Sequence, residues 1–259
     1  MMFQNEADWM RLQLPVLMAS GVGLVGLDGG SEDGGADVIR EFGGVCYEHP
    51  YCWPPVHQHN KLIECCEDAG YEGMVKIDPD ELFFAEHLEQ IPELLEDFKV
   101  LRMPTINFVN DRLHYAPIGW YPDWHARAWR LNIGIRYLHD FHSVPNWREL
   151  GMRLREDNVD DGEREVVNCG HIHLFHYGEV KDIKARGLRK LNLTRFQEGQ
   201  PLLEELPEDE HPRRPFSIRF IGAQPLDQMV VGIRTPVQIT PPPNPRPLNG
   251  EGETARRLA

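Results

Sequence analysis

The chain has 259 residues, 41% hydrophobic and 26% charged, the balance of a soluble globular protein with a sizeable core. A formal net charge of −14 excludes a broad nucleic-acid-binding or anionic-membrane surface, though not a local basic pocket. No stretch suits a transmembrane helix, and five cysteines (Cys46, Cys52, Cys65, Cys66, Cys169) without a C-x-x-C pair read as buried thiols in a reducing, cytoplasmic setting.

From Asn5 to about Ala19 apolar residues recur at helical spacing, with Pro15 allowing at most a kink. The apolar stretch from Leu12 to Leu27 is not read as a signal peptide. It follows Glu6 and Asp8 and is broken by Pro15, Gly21, Gly23 and Gly26. GVGLVGLDGGSEDGG then predicts a short buried strand that ends in a glycine- and acid-rich turn. ADVIREFGG predicts a short helix and VCYEH a second strand. HQHNKLIECCEDAG predicts an amphipathic helix stopped by Gly70. GMVKID is the third strand, and it runs straight into Asp78, Asp80 and Glu81.

Short strands alternating with helices predict an α/β fold with a parallel, covered sheet of the doubly wound kind. Ligands of such folds sit beyond the carboxyl ends of the strands. The acidic turns at Asp28 and Asp78 both fall at such ends.

After Leu113 the chain becomes rich in aromatics, His and Arg, which suits irregular or antiparallel structure lining a pocket. Residues 150–167 read as a charged, exposed segment. KDIKARGLRKLNLTRF, with Lys181, Lys184, Arg186, Arg189, Lys190 and Arg195, reads as a basic surface helix. From Gln200 acid and proline accumulate into a tail that cannot form a packed core. The expected divisions are therefore 1–113, 114–199 and 200–259.

In VKIDPDELFF the i, i+2 alternation of an extended chain lets Asp78 and Asp80 converge while Pro79 points away. Two carboxylates at a strand end repel unless a cation sits between them, and a hard ion such as Mg²⁺ or Mn²⁺ meets that need. The plainer alternative is an acidic turn at the N-terminus of a helix starting near Pro79, where acids favour the dipole.

The succession strand, D-x-x-S-x-D-G (Asp28, Ser31, Asp33, Gly34), helix, strand, helix, strand, D-x-D-E (Asp78, Asp80, Glu81) resembles the nucleotide-sugar-binding half of family 2-like GT-A fold glycosyltransferases. Further parts follow in that family's order. Asn5-Glu6 resembles the pair after its first strand, and Asn60-Lys61 the opening of the helix before D-x-D. Arg127 to Arg130 resembles its R-x-F/W-R stretch, and His176-Tyr177-Gly178 its H-Y-G. The resemblance covers about residues 3–195. It departs at two points: only Met1 and Met2 precede Phe3, so the first strand is expected to be short or missing, and Gly35 stands where threonine is usual.

The resemblance implies a Rossmann-like, mostly parallel GT-A sheet flanked by helices. It also implies inverting, metal-dependent transfer of a sugar from a nucleotide-diphosphate sugar, a UDP-sugar foremost. The acceptor stays open among sugar, lipid, protein and modified nucleobase. Asp80 would bind Mn²⁺ or Mg²⁺ directly, and Asp78 would contact the ribose, or the metal through water. Asp28 would hydrogen-bond the nucleoside, in a donor site that includes Asn5, Glu6, Asp33, Asn60 and Arg127. Lys61 or Arg130 would offset phosphate charge. His176 best matches the histidine that completes the metal site, with His171 and His173 as rivals. Asp140, His142 and Asp123 are the candidate catalytic bases. Trp120, Tyr121, Trp124 and Trp129 form either a stacking platform or core. Glu81 caps the following helix.

Two other classes compete. The pairs His57-x-His59, His139-x-x-His142 and His171-x-His173 suit a metal-dependent hydrolase, whose sites combine nitrogen and carboxylate ligands. A GT-A-like protein that binds without catalysing is the other.

Overall fold

A computed structural model describes residues 1–52, 54–108, 114–115, 123–138, 145–152, 154, 165–177, 195, 198–201, 203 and 224–225. In chain order the elements are β1 (Met2–Phe3), α1 (Ala7–Met18), β2 (Val25–Asp28), α2 (Gly35–Glu41), β3 (Val45–Glu48) and α3 (Val56–Asp68). Then come β4 (Gly73–Val75), β5 (Glu81–Leu82), α4 (Ala85–Leu88), α5 (Ile91–Asp97), β6 (Val100–Asn107) and β7 (His114–Tyr115). The last are β8 (Asp123–Arg130), β9 (Val166–Asn168), β10 (Leu174–His176) and β11 (Gln224–Pro225).

The chain forms two compact units. Of the described residues, those within Met1–Thr105 and Asp123–Leu174 belong to the first, and those within Ile106–Pro122 and Phe175–Thr235 to the second. In the first, β1, β2 and β3 make a parallel sheet in the order β1-β2-β3. The strand that the resemblance leaves short or missing is therefore present, two residues long. Both faces of this sheet are covered, as parallel sheets require. Val25 and Leu27 face α3 through Leu62, Ile63 and Cys66. Phe3, Leu24, Val38 and Ile39 pack with α1 on the other side.

Gly26 is needed here because α2 lies directly on the strand. A β-carbon at Gly26 would come within 2.8 Å of Ile39 and 3.1 Å of Phe3. Gly35 has the same cause: a β-carbon there would meet Phe3 at 2.9 Å and Met10 at 3.1 Å. Packing thus favours a residue without a β-carbon at position 35.

The expectation of one mostly parallel sheet is met only in part. The larger sheet has the order β4-β8-β6-β10-β5 and is mixed. β8 runs antiparallel to both β4 and β6, while β9 lies parallel to β6. β8 carries a bulge: Leu101 of β6 pairs with Ala128 but Arg102 pairs with Ala126, so Arg127 is the extra residue. A bulge re-aims a side chain. It also shifts the alternation, so that Ala126 and Trp129 join one core cluster and Ala128 the other.

No helix starts near Pro79. Pro79 and Asp80 form a turn, Glu81 opens β5, and α4 begins only at Ala85. Pro15 does not interrupt α1, and α3 ends as expected, with Gly70 at φ 77°. All five cysteines are free thiols, and burial pushes that of Cys66 up to about 12. In the second unit Phe108 stacks on Tyr177 with centroids 4.5 Å apart, and β7 pairs antiparallel with β11. No helix among the described residues is long and apolar enough to cross a membrane.

Candidate functional site

The carboxyl ends of β1 and β2 deliver two loops that are laced together. Asn5, at φ 54°, donates its backbone N–H to Ser31 Oγ (3.0 Å), and its Oδ1 accepts from the Glu32 N–H (2.8 Å). A short polar side chain tolerates that left-handed backbone. Asp33 joins two helix starts: Oδ2 accepts from Ala7 N–H at the head of α1 (2.8 Å), and Oδ1 from Gly35 N–H at the head of α2 (3.0 Å). Glu6 occupies the N-cap position of α1 without capping it by its side chain.

Asp28 is 5% exposed, and its Oδ1 collects the Gly30 N–H, the Ser31 N–H and the Ser31 hydroxyl at 3.1, 2.8 and 2.7 Å. Its Oδ2 takes none of these bonds. The end of β3 closes the third side, with His49 N–H on Asp28 O and Tyr51 N–H on Gly29 O, both at 2.9 Å.

Helix α1 ties these loops to the carboxylate turn. α1 starts on Asp33, and one and a half turns along it the Gln13 amide donates to the carbonyls of Asp78 (2.9 Å) and Glu81. Six residues of helix span about 9 Å, which sets the spacing of the two acidic turns along that axis. On α3, Gln58 donates to His49 O (2.9 Å), while His59 lies near enough to Asp78 to influence its charge.

Within the turn the three acids part company. Glu81, buried at 2% exposure in β5, accepts from both terminal nitrogens of Arg127 (3.2 and 2.7 Å) and from Asp78 N–H (2.8 Å). It is an internal anchor and caps no helix. Asp78, whose side chain is one-third exposed, receives the Lys76 ammonium on both oxygens (3.0 and 2.9 Å) and has Arg127 at 4.0 Å. Burial alone would raise the Asp78 carboxyl, but the charges of Lys76 and Arg127 outweigh it and hold the group well below the usual carboxylate range. Asp80 stands half-buried between them.

The other sequence candidates fall elsewhere. Asn60 clamps the backbone of Tyr137, donating to its carbonyl (3.0 Å) and accepting from its N–H (2.8 Å). Lys61 pairs with Glu64 on the exposed side of α3, and Arg130 donates to the carbonyls of Leu95 and Glu96 at the end of α5. Neither serves the acidic turn; Lys76 and Arg127 do. Trp129 is fully buried and is core, not platform, whereas Trp124 is half-buried. His176 lies in the second unit, where its Nδ1 meets Asn107 Oδ1 at 2.7 Å. His173 is buried with its ring centroid 6.4 Å from that of His87, and His171 is exposed. Asp140, His142, Trp120 and Tyr121 lie outside the described residues. Only the backbone of Asp123 is described, opposite Thr105.

Sequence reasoning passed over Lys76, Gln13 and Tyr137, and took His59 only as half of an H-x-H pair. Lys76 had a signal: a lysine inside a buried strand, two residues before Asp78, shares its side of the chain. Tyr137 stacks on His59 at 4.4 Å, and its hydroxyl is buried without a hydrogen-bond partner among the described residues, as is Arg127 Nε.

Both oxygens of the Asp78 carboxylate accept from Lys76, so a divalent ion there would have to share the carboxylate with that ammonium or displace it. Among the described residues no group of three or more His, Cys, Asp or Glu is placed to hold a metal. No protein-family model matches the chain, and no curated protein matches it.

Proposed function

We propose that this protein binds a nucleotide-diphosphate sugar, a UDP-sugar foremost, and transfers the sugar to an acceptor, as a GT-A-type glycosyltransferase. The observation that carries the reading is the joining of two acidic turns by one helix, α1, which Asp33 anchors at its start and which grips the Asp78–Glu81 turn through Gln13. In this reading the loops after β1 and β2 hold the nucleoside, with Asp28 Oδ2 accepting an N–H from the base. In the transfer step the acceptor oxygen bonds to the anomeric carbon. The bond from that carbon to the diphosphate oxygen breaks, the diphosphate leaves with the electron pair, and the acceptor proton passes to a base. Asp140, His142 and Asp123 remain the candidates for that base.

A thermal-shift panel of UDP-, GDP- and ADP-sugars, each with EDTA and with Mn²⁺, tests the proposal. One nucleotide class should raise the Tm of the wild type and fail with Asp28→Ala. If no nucleotide sugar shifts the protein and zinc stays tightly bound after purification, the transferase reading falls to the metal-hydrolase one.

A second reading, a GT-A-like module that binds the donor without transferring it, is favoured by the commitment of Asp78 to Lys76. Donor binding without transfer to any acceptor and without donor hydrolysis would select it.

A further inference from the structure

The pairing of Lys76 with Asp78 differs from an ordinary surface ion pair. The Lys76 side chain is 3% exposed, and it sits two residues ahead of its partner in the segment that follows β4. Its ammonium bonds both oxygens of a carboxylate that is itself one-third exposed. The second carboxylate of the turn, Glu81, is likewise taken on both oxygens by Arg127. Two acids are thus balanced by two cations that belong to the chain, and the pair at Asp78 borders solvent. A hard divalent ion binds more tightly the more negative charge its oxygen ligands carry, and at Asp78 that charge is already balanced by Lys76. Coulomb repulsion from an ammonium and a guanidinium beside the same carboxylate opposes its approach further.

We infer that Lys76 is a built-in counter-cation that closes the Asp78 carboxylate to divalent metal. Removing its charge opens a cation-binding position at the Asp78–Asp80 turn. Lys76 is a positioning residue here: it sets what Asp78 is able to bind without itself reaching the ligand. The inference rests on the geometry of the turn and not on the transferase reading.

The test uses the full chain and Mn²⁺ alone, with free Mn²⁺ read by its electron paramagnetic resonance signal. Wild type and Asp78→Asn should bind Mn²⁺ equally weakly, because Asp78 is not a ligand while Lys76 holds it. Lys76→Met should bind at least tenfold tighter than wild type, and adding Asp78→Asn to it should abolish the gain. Mn²⁺ should raise the Tm of Lys76→Met and leave that of the wild type unmoved, an effect that lost packing alone does not produce. Lys76→Gln, with a polar head in place of the ammonium, repeats the test if the methionine variant does not fold.

The inference is overturned if Asp78→Asn weakens Mn²⁺ binding to the otherwise wild-type chain tenfold. It is equally overturned if removing the Lys76 charge changes nothing. A nucleotide panel that fails altogether, beside a gain of Mn²⁺ binding in Lys76→Met, would sink the transferase reading and leave this inference standing.

Discussion

Arg127 grips Glu81 with both terminal guanidinium nitrogens from a bulge in β8, across 46 residues of chain, and both side chains are nearly excluded from water. The bulge is what aims the guanidinium at the acidic turn, because the residue it adds to the strand has no partner on β6. Glu81 in turn accepts the Asp78 N–H, so the turn that presents Asp78 and Asp80 hangs on this pair.

Arg127→Ala leaves the Glu81 charge buried without a partner and should destabilise the protein by about 3–5 kcal/mol, read by urea unfolding. The double variant Arg127→Met with Glu81→Leu should recover most of that loss, since it buries no charge. Equal losses in the single and double variants would mean that the pair contributes through packing alone.

The acid limb of stability should have two parts. Asp78 is held below its ordinary value of 3.8, so its contribution is fully present above that pH and is lost as pH falls towards its folded value. Asp78→Asn should flatten the unfolding curve in that range. His87 and His173 are both lowered from 6.5, chiefly by burial, so the unfolded chain takes up their protons first. Stability should therefore begin to fall as pH drops below 6.5. Replacing His173 by Asn should reduce that slope in pH-dependent thermal unfolding.

Asn60 supplies both halves of a two-bond clamp on the Tyr137 backbone, and the stacked His59 ring covers the same residue. Asn60→Ala should cost about 1–3 kcal/mol by leaving Tyr137 polar groups unsatisfied. Hydrogen exchange at the Tyr137 amide should rise by more than the global loss of stability explains. Asn60→Asp, which keeps only the acceptor, should fall between the two.

Gly35→Thr should destabilise this protein by about 1–3 kcal/mol through overpacking against Phe3 and Met10. Combining it with Met10→Ala should recover part of the loss in thermal unfolding. A neutral Gly35→Thr would show that the neighbouring side chains yield freely.

The strand–helix succession up to Val75 was legible because alternation, glycine stops and apolar runs are local signals, and β2, α2, β3 and α3 lie where those signals put them. The acids at 28, 33, 78, 80 and 81 were equally legible as residues of two turns at strand ends. Their separate tasks were not. Asp33 became a double helix anchor, Glu81 a buried partner of Arg127 and Asp78 a partner of Lys76 because residues distant in the chain, or two places along it, met them in space. The direction of β8, its bulge and the use of Asn60 on Tyr137 have the same origin: they depend on pairing across 18 to 77 residues, to which no local pattern points. By itself the sequence determined an α/β chain with two acidic turns. Only tertiary structure decided which carboxylates a cation from the chain already holds, because a charge finds its partner through distance in space and not through order along the chain.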